Sequence, residues 1–133
     1  MTAMPIESTR AVVDAWYDAA LRGDLTAITA LLDPDVVIHE ADSLPYGGEH
    51  VGRDAALALL GTLFAGVDRD AVVIEQIMCN DVAAAAMLQV PFKAPDGTNA
   101  VVLVCETFEI RAGQITRVRP YYFDTAALLA AMA

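Results

Sequence analysis

The sequence predicts an α+β fold, with N-terminal helices wrapped by a cone-shaped, curved antiparallel sheet that encloses an apolar pocket. Three observations predict it. Apolar residues recur at spacings of three and four through roughly the first 65 positions, the period of a helix buried along one side. From about residue 71 the period changes to alternation, in four long stretches divided by short turn clusters. Helices first and strands afterward segregate the two kinds of element instead of interleaving them.

The elements follow in order. Ser8 or Thr9 caps a first helix with the stripe Val12, Val13, Trp16, Tyr17, Ala20 and Leu21, and Gly23 stands just past its end. Asp24 caps a shorter helix through Leu25, Ile28, Leu31 and Leu32; Asp33, Pro34 and Asp35 stop it, and a strand begins at Val36. Residues 41–52 read as a loop punctuated by Pro45, Gly47 and Gly48. A third helix is expected from about Arg53 to Ala65, on Ala56, Leu57, Leu60, Leu63 and Phe64. Strands are expected over about 71–79, 82–92, 99–111 and 114–123. Their turns fall at Asn80 and Asp81, at Pro95 to Gly97, and at Ala112 and Gly113. Asp124 caps a last short helix on Ala127, Leu128 and Leu129. Strands this long exceed the usual five or so residues, which points to strong curvature and a hollow interior.

At 133 residues the chain is expected to form one domain, residues 1–133. A hydrophobic content of 56% and a mean hydropathy of +0.46 are high for so small a domain. The excess suggests an apolar cavity or a buried oligomer face. No apolar run approaches the roughly 18 residues needed to cross a bilayer. The start carries no cationic and apolar leader pattern, so a cytoplasmic setting is expected. The net charge of −10 repels phosphate backbones and anionic lipid, so neither nucleic acid nor membrane is an expected partner. Cys79 and Cys105 lie in apolar strands and read as buried thiols, not as a disulfide or a metal pair.

Two glutamates stand where the pattern calls for inward apolar residues. In the run from Val101 to Ile110, Val104, Glu106, Phe108 and Ile110 share one parity, while Thr107, Glu109 and Arg111 share the other. The polar set marks solvent, so Glu106 faces inward. Glu40 ends the run from Val36, on the face of Val36 and Ile38. A carboxyl in an apolar interior resists ionisation, which is the condition general acid–base chemistry uses. The alternatives are a strand-end residue reaching solvent, or an ion pair with Arg117 or Arg119. Glu106, being drier, is expected to hold the proton of a coupled pair, and Glu40, at a strand end, to be less perturbed.

Taken together, certain short motifs resemble the nuclear transport factor 2-like superfamily, in its SnoaL-like and ketosteroid-isomerase-like branch. They are Trp16 and Tyr17; Arg22 to Leu25; Leu32 to Val36; Gly52 to Ala55; and Thr107 to Ile115, spanning about residues 8 to 131. The resemblance implies the cone fold and places Glu40 where ketosteroid isomerases carry their base. Glu106 falls where they hold a protonated carboxylic acid on a late strand. Trp16 occupies the position of their oxyanion tyrosine, with Tyr17 beside it; an indole donates one hydrogen bond but is not a phenol. Epoxide hydrolases and polyketide cyclases of this fold likewise face two carboxyls across the pocket.

The expected activity is therefore cofactor-independent acid–base chemistry of isomerase, polyketide-cyclase or epoxide-hydrolase type on a small, largely apolar molecule, catalysed by Glu40 and Glu106. The expected pocket wall is Trp16, Tyr17, Tyr46, Phe64, Phe108 and Tyr121. The competing class is a non-catalytic ligand-binding or dimeric assembly module. His39 has parity opposite to Glu40, His50 lies in the loop, and the spacing gives no metal site. Tyr121 alternates with Arg117 and Arg119 along the last strand, lining either the open end or a dimer face. Val101, Leu103 and Cys105, opposite Glu106, leave an apolar outer face that predicts a homodimer.

Overall fold

A computed structural model describes residues 6–133. Residues 1–5, which open the segment read above for a leader, lie outside the described residues. In chain order the elements are α1 (Ile6–Arg22), α2 (Leu25–Leu31), β1 (Leu32–Glu40), β2 (Gly48–Val51) and α3 (Arg53–Gly66). A 3₁₀ turn at Arg69–Ala71 leads to β3 (Val73–Cys79), β4 (Ala83–Lys93), β5 (Asn99–Arg111), β6 (Gln114–Tyr122) and α4 (Thr125–Met132). The fold is α+β: helices against a curved, unclosed sheet of six strands in the order β2-β1-β6-β5-β4-β3.

Asp24 caps α2 by accepting the Ala27 N–H at 3.0 Å, and Asp124 caps α4 by accepting that of Ala127 at 3.0 Å. Each satisfies a donor that the first turn leaves free. Trp16 and Tyr17 on α1 bury against Phe108 of β5, edge-on, with ring centroids 5.5 and 5.9 Å away. Ile28, Leu32, Ile38, Ile115 and Val118 complete this core. A second cluster joins Leu128 of α4 to Leu44, Phe92, Val102 and Val104.

Ser8 and Thr9 lie inside α1, which already runs at Ile6, so neither caps it as expected; three further expectations need correction. The region 41–52 is not all loop, because Gly48–Val51 forms β2 and pairs with β1. Its four residues are too few to display a period. Second, β1 begins at Leu32, not Val36, with a register irregularity between Leu32 and Val37 that admits Pro34, a residue without an N–H. Third, the sheet is not purely antiparallel: β1 runs parallel to β6. The two are separated by the rest of the chain, so no hairpin constrains their direction.

The β5–β6 hairpin turns on Ala112 and Gly113, with φ of 51° and 79°. Both central residues at positive φ is the pattern of a type I′ turn, whose twist matches the strands it joins. Alanine there carries a Cβ into the left-handed region, where asparagine is better tolerated. Ala112→Asn is expected to stabilise the protein by about 1 kcal/mol, read from urea unfolding at unchanged m-value.

Candidate active site

The site is built across three neighbouring strands. Glu106 of β5 pairs in register with Pro120 of β6. On the other side of β6, Ile38 pairs with Val118, and continuing that parallel register by two residues brings Glu40 level with Pro120. The two glutamates thus flank Pro120 from either side, their backbones roughly 10 Å apart by strand spacing. Pro120 is buried and interrupts a central strand, where a missing N–H is normally avoided. The concave face turns both carboxyls toward one cavity of about 110 Å³, walled largely by apolar side chains from α1, α3, β4 and β5.

Each carboxyl is held by a phenol. The Tyr17 hydroxyl donates to Glu106 Oε1 at 2.6 Å, and the Trp16 indole N–H acts on the same carboxyl, opposing the rise in its pKa. The Tyr122 hydroxyl donates to Glu40 Oε1 at 2.7 Å, and its oxygen lies 3.3 Å from the Tyr46 hydroxyl. Glu40 is only 2% exposed. Glu106 retains partial accessibility, as a side chain lining a cavity does. Among the described residues neither pairs with an arginine: Arg117 approaches Glu109 instead, at 3.9 Å, on the outer side of the sheet.

Burial dominates the electrostatics. It pushes the Glu40 carboxyl up to about 7; the Tyr122 hydrogen bond opposes this, and the charge of Glu106 adds to it. Burial likewise raises Glu106, against the hydrogen bonds from Tyr17 and Trp16. Tyr17 is pushed well above the ordinary phenol range by burial, then by the neighbouring Glu106 charge. Tyr122 is raised by burial and then by Glu40, and Tyr46 is pushed up to about 12, chiefly by burial. The three phenols therefore stay neutral donors. Glu40 is buried although it ends its strand, and both carboxyls are raised chiefly by burial.

Of the expected wall residues, Trp16, Tyr17 and Phe64 line the cavity. Phe108 does not; it is 1% exposed and lies beneath Trp16 and Tyr17 as core. Tyr46 lines a neighbouring cavity of about 160 Å³, which shares Leu63 and Phe92 with the first. Tyr121 is a correction. It is 54% exposed and points to the outer face, while its neighbour Tyr122 points in. The signal was present: Val118, Pro120 and Tyr122 share one parity on β6, and Arg117, Arg119 and Tyr121 the other.

A larger concavity of about 520 Å³ is an open depression on the outer face, beside Arg117, Arg119 and Tyr121, and holds neither glutamate. His39 faces Asp42 and Glu49, at 3.7 and 4.0 Å, away from the cavity. Among the described residues no three His, Cys, Asp or Glu side chains gather as a metal site. No helix among them is long and apolar enough to cross a membrane.

Residues 13–118 match the model of the SnoaL-like domain. No curated protein sequence matches at a significant level. Among solved structures, Bal32a from a soil-derived mobile gene cassette superposes with a TM-score of 0.86 at 21% identity, over 96% of this chain and 98% of that one. A protein described as a SnoaL-like polyketide cyclase from Jannaschia sp. CCS1 superposes at 0.81 and 16% identity, over 99% and 96%. TerC, co-crystallised with polyporic acid, gives 0.81 at 16% identity over 93% and 97%. At these identities the likeness concerns the fold.

Proposed function

Since the chain belongs to the SnoaL-like domain family, we propose that it is a cofactor-independent acid–base enzyme acting on a small, largely apolar molecule. Glu40 is the base and Glu106 the acid. One observation carries this reading: two carboxyls with raised pKa values line a single apolar cavity, each fixed by a tyrosine and neither, among the described residues, neutralised by an arginine. Glu40, poised near 7, exchanges its proton readily at neutral pH, which suits a general base. Glu106, kept protonated by burial, donates to an oxygen on which charge develops.

The scheme fits isomerisation of an enolisable ketone, cyclisation of a polyketide-like chain, or opening of an epoxide by activated water. The cavity, smaller than the roughly 300 Å³ of drug-sized sites, favours a compact substrate unless Leu63 and Phe92 yield toward the second cavity. Purified protein assayed against epoxides and enolisable ketones is expected to turn over one of these classes without added metal or cofactor. Binding without turnover across the panel would leave the competing reading, a ligand-binding or assembly module. The free thiols of Cys79 and Cys105 accord with a cytoplasmic setting.

The same reading includes a homodimer. Val101 and Leu103, with Met87 and Tyr121 nearby, expose apolar surface on the outer side of the sheet. A second copy covering that patch removes it from water. Light scattering at micromolar concentration is expected to return twice the 14.1 kDa chain mass; a clean monomer would exclude it.

A further inference from the structure

We propose that the cavity recognises an anionic group, a carboxylate or an enolate-like oxygen, through Arg69, so that the ligand is an amphiphile with an apolar body and an acidic head. The inference rests on reading the cavity as the site of a small, largely apolar molecule, and it names the polar end of that molecule.

Arg69 follows α3 in the 3₁₀ turn, and its side chain lines the cavity near Leu21 and Val72. Among the described residues the side chains with formal charge on that wall are Glu40, Glu106 and Arg69. Both acids have raised pKa values, so in the state with both protons held Arg69 is the one full charge among the lining residues. Among the described residues no carboxylate pairs with it, and the hydrogen bond it makes is a long one, from Nη1 to the Leu21 carbonyl at 3.4 Å. A guanidinium offers five N–H donors, so most of its capacity is unspent.

Its placement is built into the fold. Gly23, with φ of +69°, stands just past the end of α1, and the guanidinium lies against that glycine so closely that a Cβ there would collide with Nη1. The bare glycine therefore does two things: it takes the left-handed backbone that ends the helix, and it leaves the space the guanidinium fills. A guanidinium free of an ion pair is suited to a planar anion, which it binds through two parallel donors. The protein's charge of −10 opposes anion approach over long range, so recognition must come from this local group.

The test compares three probes with one apolar body, hexanoate, hexanamide and hexylammonium, by calorimetry on the 133-residue chain at pH 6, below the value near 7 to which Glu40 is raised and above the ordinary carboxylate range of hexanoate. Hexanoate is expected to bind at least tenfold more tightly than the other two. In Arg69→Met that preference should collapse by roughly 10- to 100-fold, the range for a charged hydrogen bond, with hexanamide affinity little changed. Arg69→Lys should keep part of the preference, and it serves if the methionine variant does not fold. Hexanoate binding no better than hexanamide, no binding of any probe, or a preference that survives Arg69→Met would each overturn the inference. Glu40→Gln and Glu106→Gln should retain the hexanoate preference. Turnover lost there with the preference intact leaves Arg69 standing, whereas absence of turnover in the unmutated protein with the preference intact removes the acid–base reading alone.

Discussion

The free energy of unfolding is expected to fall as pH rises from about 4.5 to about 7, and Glu40→Gln is expected to flatten that fall. The Glu40 carboxyl is raised from 4.5 to about 7 on folding, mainly because it is buried. Below 4.5 both the folded and the unfolded chain hold the proton, and its contribution to stability is fully present. Between 4.5 and 7 the unfolded chain releases the proton while the folded protein keeps it, so the unfolded state gains and stability declines. Above the folded value both have released it and the decline ends. A shift of this size corresponds to roughly 3 kcal/mol in total. Glu106 is raised as well and couples to Glu40, so the step belongs to the pair, and Glu106→Gln should shrink it too. Glutamine keeps the shape and an oxygen that accepts from Tyr122 or Tyr17, so neither variant should lose the fold. Urea titrations at half-unit pH intervals measure the profile. Superimposable curves for the unmutated protein and both variants would mean that the carboxyls are solvated in the folded state.

Glu40→Gln is also expected to lower turnover of a responsive epoxide or ketone by about 10²- to 10⁴-fold, the range for loss of a general base. The effect should fall on kcat, since the amide fills the same space against Tyr122. A base must be deprotonated to act, so kcat/KM of the unmutated enzyme should climb with pH through a limb near 7, the value to which burial raises Glu40. The residual activity of Glu40→Gln should lack that limb. Glu106→Gln should lose proton donation while keeping a neutral hydrogen-bond donor, and with it any fall in rate at higher pH caused by ionisation of Glu106. Undiminished turnover in Glu40→Gln would exclude it as the base.

Much of this was legible in the chain. The α1 stripe from Val13 to Ala20 is the buried face it appeared to be from its spacing, and Asp24 and Asp124 cap as their positions before apolar runs indicate. Glu106 was found by parity, because Val104, Phe108 and Ile110 bury on its face while Glu109 and Arg111 are exposed. The same alternation, carried onto β6, selects Tyr122 over Tyr121, because Arg117 and Arg119 share the phase of Tyr121. Phe108 shows the converse limit. Its inward phase is correct, yet facing inward does not distinguish the cavity wall from the core behind it, and the rings of Trp16 and Tyr17 decide which it is.

By itself the sequence determined what depends on near neighbours: helix faces, caps, hairpin turns, strand phase and the two carboxyls set among apolar residues. Those are properties of backbone period and of contacts a few residues apart. Only the tertiary structure decided the pairing of Tyr17 with Glu106, 89 positions on, and of Tyr122 with Glu40, 82 positions back. It likewise decided the parallel seating of β1 on β6 that brings Glu40 level with Pro120, the closure that dries Glu40, and the packing of Arg69 against Gly23. Each depends on how a curved sheet and its helices meet in space, a distance that no local period encodes.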